Sequence, residues 1–230
     1  GTTLMHEHVF VLQPEALQNY GHLWGPSYWD EDVRVRDAIE KLGAVRDAGI
    51  RTIVDPTAPG LGRYIPRIQR INAEVDLNIV VATGVYAFLE LPNFLAYRSV
   101  DTIAELFVRE IREGIDDTGV KAAFLKCAVE RHGVVGDVPR ILDAVAAAAL
   151  ETGAPIMVHT NASAKTGVTA LEALTSRGVD PARIIIAHAG IADMGALATA
   201  LGGLPGVFFD TSVWSAVDLL DLFRQVAPEQ

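Results

Sequence analysis

Short β-branched runs alternate with stretches of helical spacing seven times, and that alternation constrains the fold of this chain more than any other feature. The predicted strands are Thr2–Phe10, Arg51–Thr57, Asn78–Tyr86, Lys121–Ala128, Pro155–Thr160, Arg183–His188 and Gly206–Thr211. Between and after them lie predicted helices over Asp32–Ala48, Arg63–Glu74, Asp101–Ile115, Val138–Glu151, Val168–Ser176, Asp193–Leu201 and Ser215–Val226. Strand cores such as Ile184-Ile185-Ile186 and Ile79-Val80-Val81 are apolar throughout rather than alternating, the pattern of parallel strands covered on both faces. Gly49, Gly119 and Gly153 stand where helical stretches stop. Regular alternation of this kind means an α/β fold.

A doubly wound sheet and a closed (β/α)8 TIM barrel share this rhythm. No Gly-rich phosphate loop follows the first strand, as a dinucleotide-binding sheet would need. Polar residues instead collect at the C-terminal ends of the strands, where barrel active sites sit. The expectation is therefore a single (β/α) barrel domain over residues 1–230, close to the roughly 250 residues typical of such barrels. No eighth strand is visible before Gln230 and the chain opens on Gly1, so it reads as a piece, truncated before strand 8 and without its natural start. The segments Gln13–Asp30, rich in aromatics (Tyr20, Trp24, Tyr28, Trp29), and Phe88–Tyr97 read as long loops, either lids and pocket walls or plain caps on the barrel mouth.

Composition excludes several functions. Half of the residues are hydrophobic and 21% are charged, enough apolar material for a core and too much for disorder. With 19 Lys+Arg against 29 Asp+Glu, a net charge of −10, the chain is not a dedicated nucleic-acid binder. No apolar run approaches the ~20 residues that span a bilayer, and no signal-peptide pattern opens the sequence. The single cysteine, Cys127, excludes an intrachain disulfide or a Cys-rich metal site and suits a cytoplasmic protein. Lying next to Lys126, it should face the helix layer as a packed thiol.

The chemistry is carried by histidines. Four of the six close predicted strands: His6, His8, His159 and His188. In Leu4-Met5-His6-Glu7-His8 the two imidazoles are two residues apart and face the same side of a strand. Neutral imidazole is a natural ligand for Zn2+ and similar metals. A lone strand-end histidine is commonly a core residue satisfied by a carbonyl, yet four at equivalent positions point to a metal site. Lys126 closes the run Ala122-Ala123-Phe124-Leu125-Lys126. An ammonium aimed into an apolar barrel is costly, so its pKa should fall. Three outcomes stay open: a structural ion pair, a Schiff-base amine, or reaction of the neutral amine with CO2 to a carbamate that bridges two cations. The surrounding histidines favour the third.

The ordered set Thr3-Leu4-Met5-His6-Glu7-His8, Thr52-Ile53-Val54-Asp55, Val81-Ala82-Thr83-Gly84-Val85-Tyr86, Gly114-Ile115-Asp116-Asp117-Thr118-Gly119, Lys121 through Lys126 and Val158-His159-Thr160 resembles the phosphotriesterase family. That family, phosphotriesterase-like lactonases included, belongs to the amidohydrolase superfamily, and the likeness runs from Gly1 to about Gly190. The resemblance implies a (β/α)8 barrel with two divalent metal ions, zinc by preference and Co2+, Mn2+ or Fe2+ as alternatives. It implies that His6 and His8 hold the more buried ion, His159 and His188 the more exposed one, and Lys126, N6-carboxylated by CO2, bridges both. Such a centre activates water to hydrolyse a lactone, carboxylic ester or phosphotriester. Tyr86 matches a tyrosine near the metals in lactonase-type members, which favours a lactone or carboxylic ester. Phe88, Leu89, Leu91, Phe94 and Trp214 suggest an apolar rim, with Tyr86, Phe88 and Trp214 the candidates for touching substrate.

The departures are informative. The family's metal-binding aspartate ends the eighth strand and has no counterpart before Gln230. Asp210 ends the predicted seventh strand and does not match that residue. Thr211 follows it where lactonase-type members often carry arginine, and Asp210-Thr211-Ser212-Val213-Trp214 looks more like other metal-dependent amidohydrolases. Amide hydrolysis or decarboxylation, a Schiff-base lyase on Lys126, and a catalytically incomplete barrel therefore stand as alternatives. The expected partner is a small-molecule ester or lactone, not nucleic acid or membrane, with a homodimer as the allowed assembly. Of the remaining polar residues, Glu7 is expected to pair with a helix, Asp55 to touch groups behind the site, Arg63 and Tyr64 to start a solvated helix, and His22 and His132 to sit in loops.

Overall fold

The computed structural model describes residues 1–25, 29–189 and 208–210. Their order is β1 (Thr2–Leu4), α1 (Pro14–Trp24), α2 (Glu31–Asp47), β2 (Ile50–Asp55), α3 (Ile65–Asn72), β3 (Asn78–Gly84), α4 (Asn93–Ala96), α5 (Val100–Arg112), β4 (Phe124–Val129), α6 (Val138–Thr152), β5 (Ile156–Thr160), α7 (Thr166–Thr175), β6 (Ile184–Ala187) and β7 (Phe208–Phe209). Single 3-10 turns precede β4 (Asp116–Thr118) and β6 (Pro181–Arg183). The seven strands form one sheet in sequential order, and every neighbouring pair is parallel. This is the order of a (β/α)8 barrel through its seventh strand. The sheet curls strongly enough that the His6 ring beyond β1 hydrogen-bonds to Asp210 beyond β7, 204 residues away.

Local signals place the helices. Asp30 caps α2 by accepting from Val33 N at 3.0 Å, and Ser99 caps α5 by accepting from Thr102 N at 3.1 Å; each satisfies one orphan donor of a helix start. Prolines stand in the first turns of α1, α3 and α6, where a missing N–H costs nothing. Gly153 ends α6 in the left-handed conformation.

Strand alternation then sorts side chains into two cores. One face of the sheet buries Val54, Ala82, Phe124, Met157 and Ala187, one from each of β2 to β6, in a layer inside the barrel. The other face packs Leu125, Cys127, Ile156, Val158, Ile184 and Ile186 against Phe107 of α5, the alanine-rich α6, and Leu171 and Leu174 of α7. Lys126 is two residues beyond Phe124 and His159 two beyond Met157, so both stand one layer above the barrel filling.

Several expectations are corrected. Gln13–Asp30 is not a plain loop: it holds α1, which carries His22. Phe88–Tyr97 contains the one-turn α4. The first strand stops at Leu4, so His6 and His8 lie beyond it, not on it. Lys126 is the third residue of β4 rather than its last. Arg63 is not solvated: its guanidinium grips both carboxylate oxygens of Glu110 at 2.6 Å and the Ala82 carbonyl at 3.0 Å. Glu7 makes no ion pair among the described residues. The predicted helices Asp193–Leu201 and Ser215–Val226, together with Tyr28, Thr211 and Trp214, lie outside the described residues. No helix among the described residues is long and apolar enough to cross a membrane.

Candidate metal centre

Four imidazoles meet above the barrel filling. The ring centroids of His6 and His8 are 5.3 Å apart, those of His6 and His188 4.7 Å, and those of His188 and His159 4.8 Å. His6 and His8 come from the segment after β1, His159 from β5, and His188 from the residue after β6. His188 adopts φ +62, a left-handed backbone uncommon for a non-glycine residue and frequent at functional sites.

Lys126 completes the cluster from below. Its side chain is fully buried, and its Nζ has no hydrogen-bond partner among the described residues. Burial holds the amine well below its ordinary value, down to about 8, although the Asp210 carboxylate opposes the shift. The same burial, reinforced by the positive charges of the neighbouring histidines and Lys126, pushes His8 down to about 4. His188 also falls to about 4, through burial first, with Asp210 opposing. His159 is lowered by burial and by Lys126. The neutral imidazoles of His8, His159 and His188, around an amine without a hydrogen-bond partner among the described residues, are a donor set for a cation, because only the unprotonated forms can coordinate.

Oxygen acceptors ring the imidazoles. Asp210 Oδ2 bonds His6 Nδ1, and its Oδ1 accepts from the His188 backbone N–H at 3.2 Å. Ligand atoms of His6, His188 and Asp210 all lie within 4.8 Å of one another. His8 Nδ1 is 2.8 Å from Thr57 Oγ1. Glu130, beyond the end of β4, has Oε1 3.5 Å from His159 Nε2 and accepts from Asn161 Nδ2 at 3.0 Å. Burial pushes the Asp55 carboxyl up, while hydrogen bonds from Thr57 and Val9 pull the other way.

Aromatic side chains form one wall. The Tyr86 hydroxyl is 3.3 Å from His159 Nδ1, and burial together with Glu130 lifts its pKa to about 12, so it stays protonated. Phe88 packs edge-on to Tyr86 with centroids 5.1 Å apart and lies 5.8 Å from the His159 ring. Leu91 is buried, whereas Phe88, Leu89 and Phe94 are exposed. Two glycines allow the close approach: a Cβ on Gly84 would sit 2.0 Å from the Lys126 carbonyl oxygen, and one on Gly60 2.2 Å from that of Tyr86.

His6, His8, Lys126, His159, His188 and Tyr86 thus come together at one end of the sheet, with Phe88 on the rim. Asp210, Thr57 and Glu130 were not in the ligand set read from sequence. For Asp210 the signal was its place after the seventh strand, level with the other strand-end residues. For Thr57 and Glu130 no spacing rule connects a residue just past one strand to a histidine just past another.

A parallel (β/α) sheet with a histidine–lysine mouth defines a class, and comparison with known proteins defines the family. The model of the phosphotriesterase family matches residues 1–201. A phosphotriesterase homology protein of Mycobacterium tuberculosis is 46% identical over 197 residues, covering 83% of this chain and 59% of that protein. An aryldialkylphosphatase of Saccharolobus solfataricus is 39% identical over 193 residues, covering 84% of this chain and 60% of that one. The solved structure of the phosphotriesterase from Mycobacterium tuberculosis superposes with a TM-score of 0.81 at 43% identity, covering 91% of this chain and 65% of that chain. The chain belongs to the phosphotriesterase family and spans about three fifths of the length of these curated relatives.

Proposed function

We propose that this chain carries the site of a metal-dependent hydrolase with two divalent cations, acting on a lactone or carboxylic ester in preference to a phosphotriester. In this reading His6 and His8 would hold one ion, His159 and His188 the other, and Lys126, once carboxylated, would supply the shared anionic ligand. The observation that carries it is the Lys126 amine, fully buried and unpartnered among four imidazoles. A structural ion pair would leave that nitrogen bonded to a carboxylate, and no such bond is made among the described residues.

The residues present fit such a group. The neutral Lys126 amine would attack the carbon of CO2, forming an N–C bond as one C=O π pair moves to oxygen and the nitrogen releases a proton, which leaves an anion suited to a divalent cation in place of the buried amine. Asp210 engages Nδ1 of His6 and leaves Nε2 of that ring as its donor atom. When bound, the pair of cations supplies Lewis acidity and lowers the pKa of water toward neutrality. Tyr86, protonated at neutral pH and 3.3 Å from His159 Nδ1, would be able to donate a hydrogen bond to a substrate oxygen. Tyr86 and Phe88 offer apolar edges against which an acyl chain or aryl group can lie. The name of the Saccharolobus solfataricus relative, an aryldialkylphosphatase, supports a hydrolase and keeps organophosphates among the substrates to assay.

The test is a panel of lactones, carboxylic esters and organophosphates assayed with Zn2+, Co2+ and Mn2+, alongside metal analysis of the wild-type chain and Lys126→Ala. Two ions per chain in the wild type, lost in the variant together with lactone or ester hydrolysis, is the expected result. Metal content and hydrolysis that both survive Lys126→Ala overturn the reading.

A further inference from the structure

His8 has two ring nitrogens, and only one can face a cation with a lone pair. The inference here rests on the metal reading above and deepens it, by assigning which nitrogen that is and what decides it.

Three oxygens near His8 settle where the protons go. Thr57 Oγ1 lies 2.8 Å from His8 Nδ1, 2.5 Å from Asp55 Oδ1 and 3.2 Å from the Phe10 carbonyl oxygen. A hydroxyl carries one proton and two lone pairs, while a carbonyl and an ionised carboxylate only accept. Asp55 is already receiving: Oδ1 takes the Thr57 backbone N–H at 2.9 Å, and Oδ2 takes that of Val9 at 3.4 Å. The single hydroxyl proton goes to the charged oxygen, which makes the shorter and stronger bond. Thr57 Oγ1 then has lone pairs to offer His8 and no proton. Its contact with Nδ1 is a hydrogen bond only if Nδ1 carries the hydrogen, and that tautomer leaves Nε2 unprotonated.

We propose that Thr57, anchored by Asp55, is a positioning residue that holds His8 as the Nδ1–H tautomer and so presents Nε2 as a metal donor. The device is built into the fold. Asp55 is the last residue of β2, Thr57 lies two residues on, and both are buried. The carboxylate receives the backbone N–H of Val9, the residue directly after His8, so it anchors the histidine's main chain as well as the hydroxyl that orients its ring.

The experiment uses the full chain, stripped of metal with a chelator and labelled with 15N. Long-range 1H–15N correlation near neutral pH reads the tautomer of His8, assigned by its disappearance in His8→Gln. The expected spectrum is Nδ1–H, and an Nε2–H tautomer or an even mixture overturns the proposal. Zn2+ alone is then titrated into the stripped protein. Thr57→Val is expected to weaken Zn2+ affinity about 10- to 100-fold, the usual effect of removing the partner that orients a ligating histidine, and to release the tautomer. Thr57→Ser keeps the hydroxyl and restores both. Unchanged affinity and tautomer in Thr57→Val also overturn the proposal, and if that variant does not fold the wild-type spectrum decides alone. Failure of the metal reading looks different: a wild type that binds no Zn2+ while showing the Nδ1–H tautomer sinks that reading and leaves the Thr57 assignment standing.

Discussion

Lys126 is where function and stability pull in opposite directions. Its amine is buried without a hydrogen bond among the described residues, a situation that costs a fold about 1–3 kcal/mol for a polar group and more for a charged one. Lys126→Met, similar in length and apolar, should therefore raise the thermal stability of the metal-free protein by several degrees while abolishing tight Zn2+ binding. Differential scanning calorimetry and metal analysis on the same samples check the two halves of that expectation. The histidines make a complementary prediction about acid. His8 and His188 titrate at about 4 in the folded chain against 6.5 when unperturbed. Between those values the unfolded chain takes up protons that the folded one refuses, so the stability of the metal-free protein falls as pH drops from 6.5 toward 4 and this loss is complete below 4. Chemical denaturation across that range, compared with a His8→Gln/His188→Gln variant, should show a shallower acid slope in the variant. At this scale the residue types that gather at the mouth were legible in the sequence, because imidazoles at the ends of apolar strands have few structural reasons to be there. Which nitrogen of each ring is engaged by a neighbour was not, since that depends on oxygens such as those of Thr57 and Asp210 that only folding brings near.

The elements owe their positions to the regular strand–helix rhythm, and the misread ones show where a rhythm carries no information. The central strands were readable because a continuous apolar run bounded by glycine has few other fates. The helix α1 was missed: a stretch opening on Gln-Pro and crowded with aromatics has no buried residue in the structure, hence no apolar stripe to announce it. Arg63 was misread for a related reason, since its partners, the Glu110 carboxylate and the Ala82 carbonyl, belong to α5 and β3, and Thr83 Oγ1 donates to the same Glu110 at 2.5 Å. That ion pair ties the segment before α3 to α5 beneath the mouth. The Thr83-Gly84 step of β3 is equally specific. Gly84 has φ +99, and an added Cβ would fall 2.0 Å from the Lys126 carbonyl oxygen and 2.7 Å from its nitrogen. Gly84→Ala should destabilise the chain by more than Gly49→Ala, whose φ of +95 is closely similar but whose added Cβ meets nothing within 4 Å. The control carries only the backbone cost, about 1–2 kcal/mol. The excess belongs to the displacement of β4 at Lys126, and it should appear in Zn2+ affinity as well as in the denaturation midpoint. Equal losses in the two variants would mean that β3 and β4 adjust freely around this point.

For the molecule as a whole, the sequential parallel sheet explains why residues so far apart in sequence share one site: each strand delivers its C-terminal end to the same rim. The order of strands was legible because right-handed βα units leave few alternatives. The curl of the sheet was not, since no single segment encodes it. It is visible in the bond between His6, just past the first strand, and Asp210, just past the seventh. Both side chains are buried, so the contact acts as a clasp, drawing together two ends of the sheet whose strands do not pair with each other among the described residues. A hydrogen bond to a charged group contributes about 1.5–3 kcal/mol, a loss that here falls on the least supported strands. Asp210→Ala should therefore speed amide hydrogen exchange in β1 and in the β6–β7 pairing before it affects β4 and β5, whose amides lie inside the largest core. Asp210→Asn, which keeps an acceptor oxygen but not its charge, should give an intermediate effect. Uniform acceleration across all seven strands would show instead that the sheet holds its curvature through packing on the interior layer of Val54, Ala82, Phe124, Met157 and Ala187, with the clasp adding nothing to the curl.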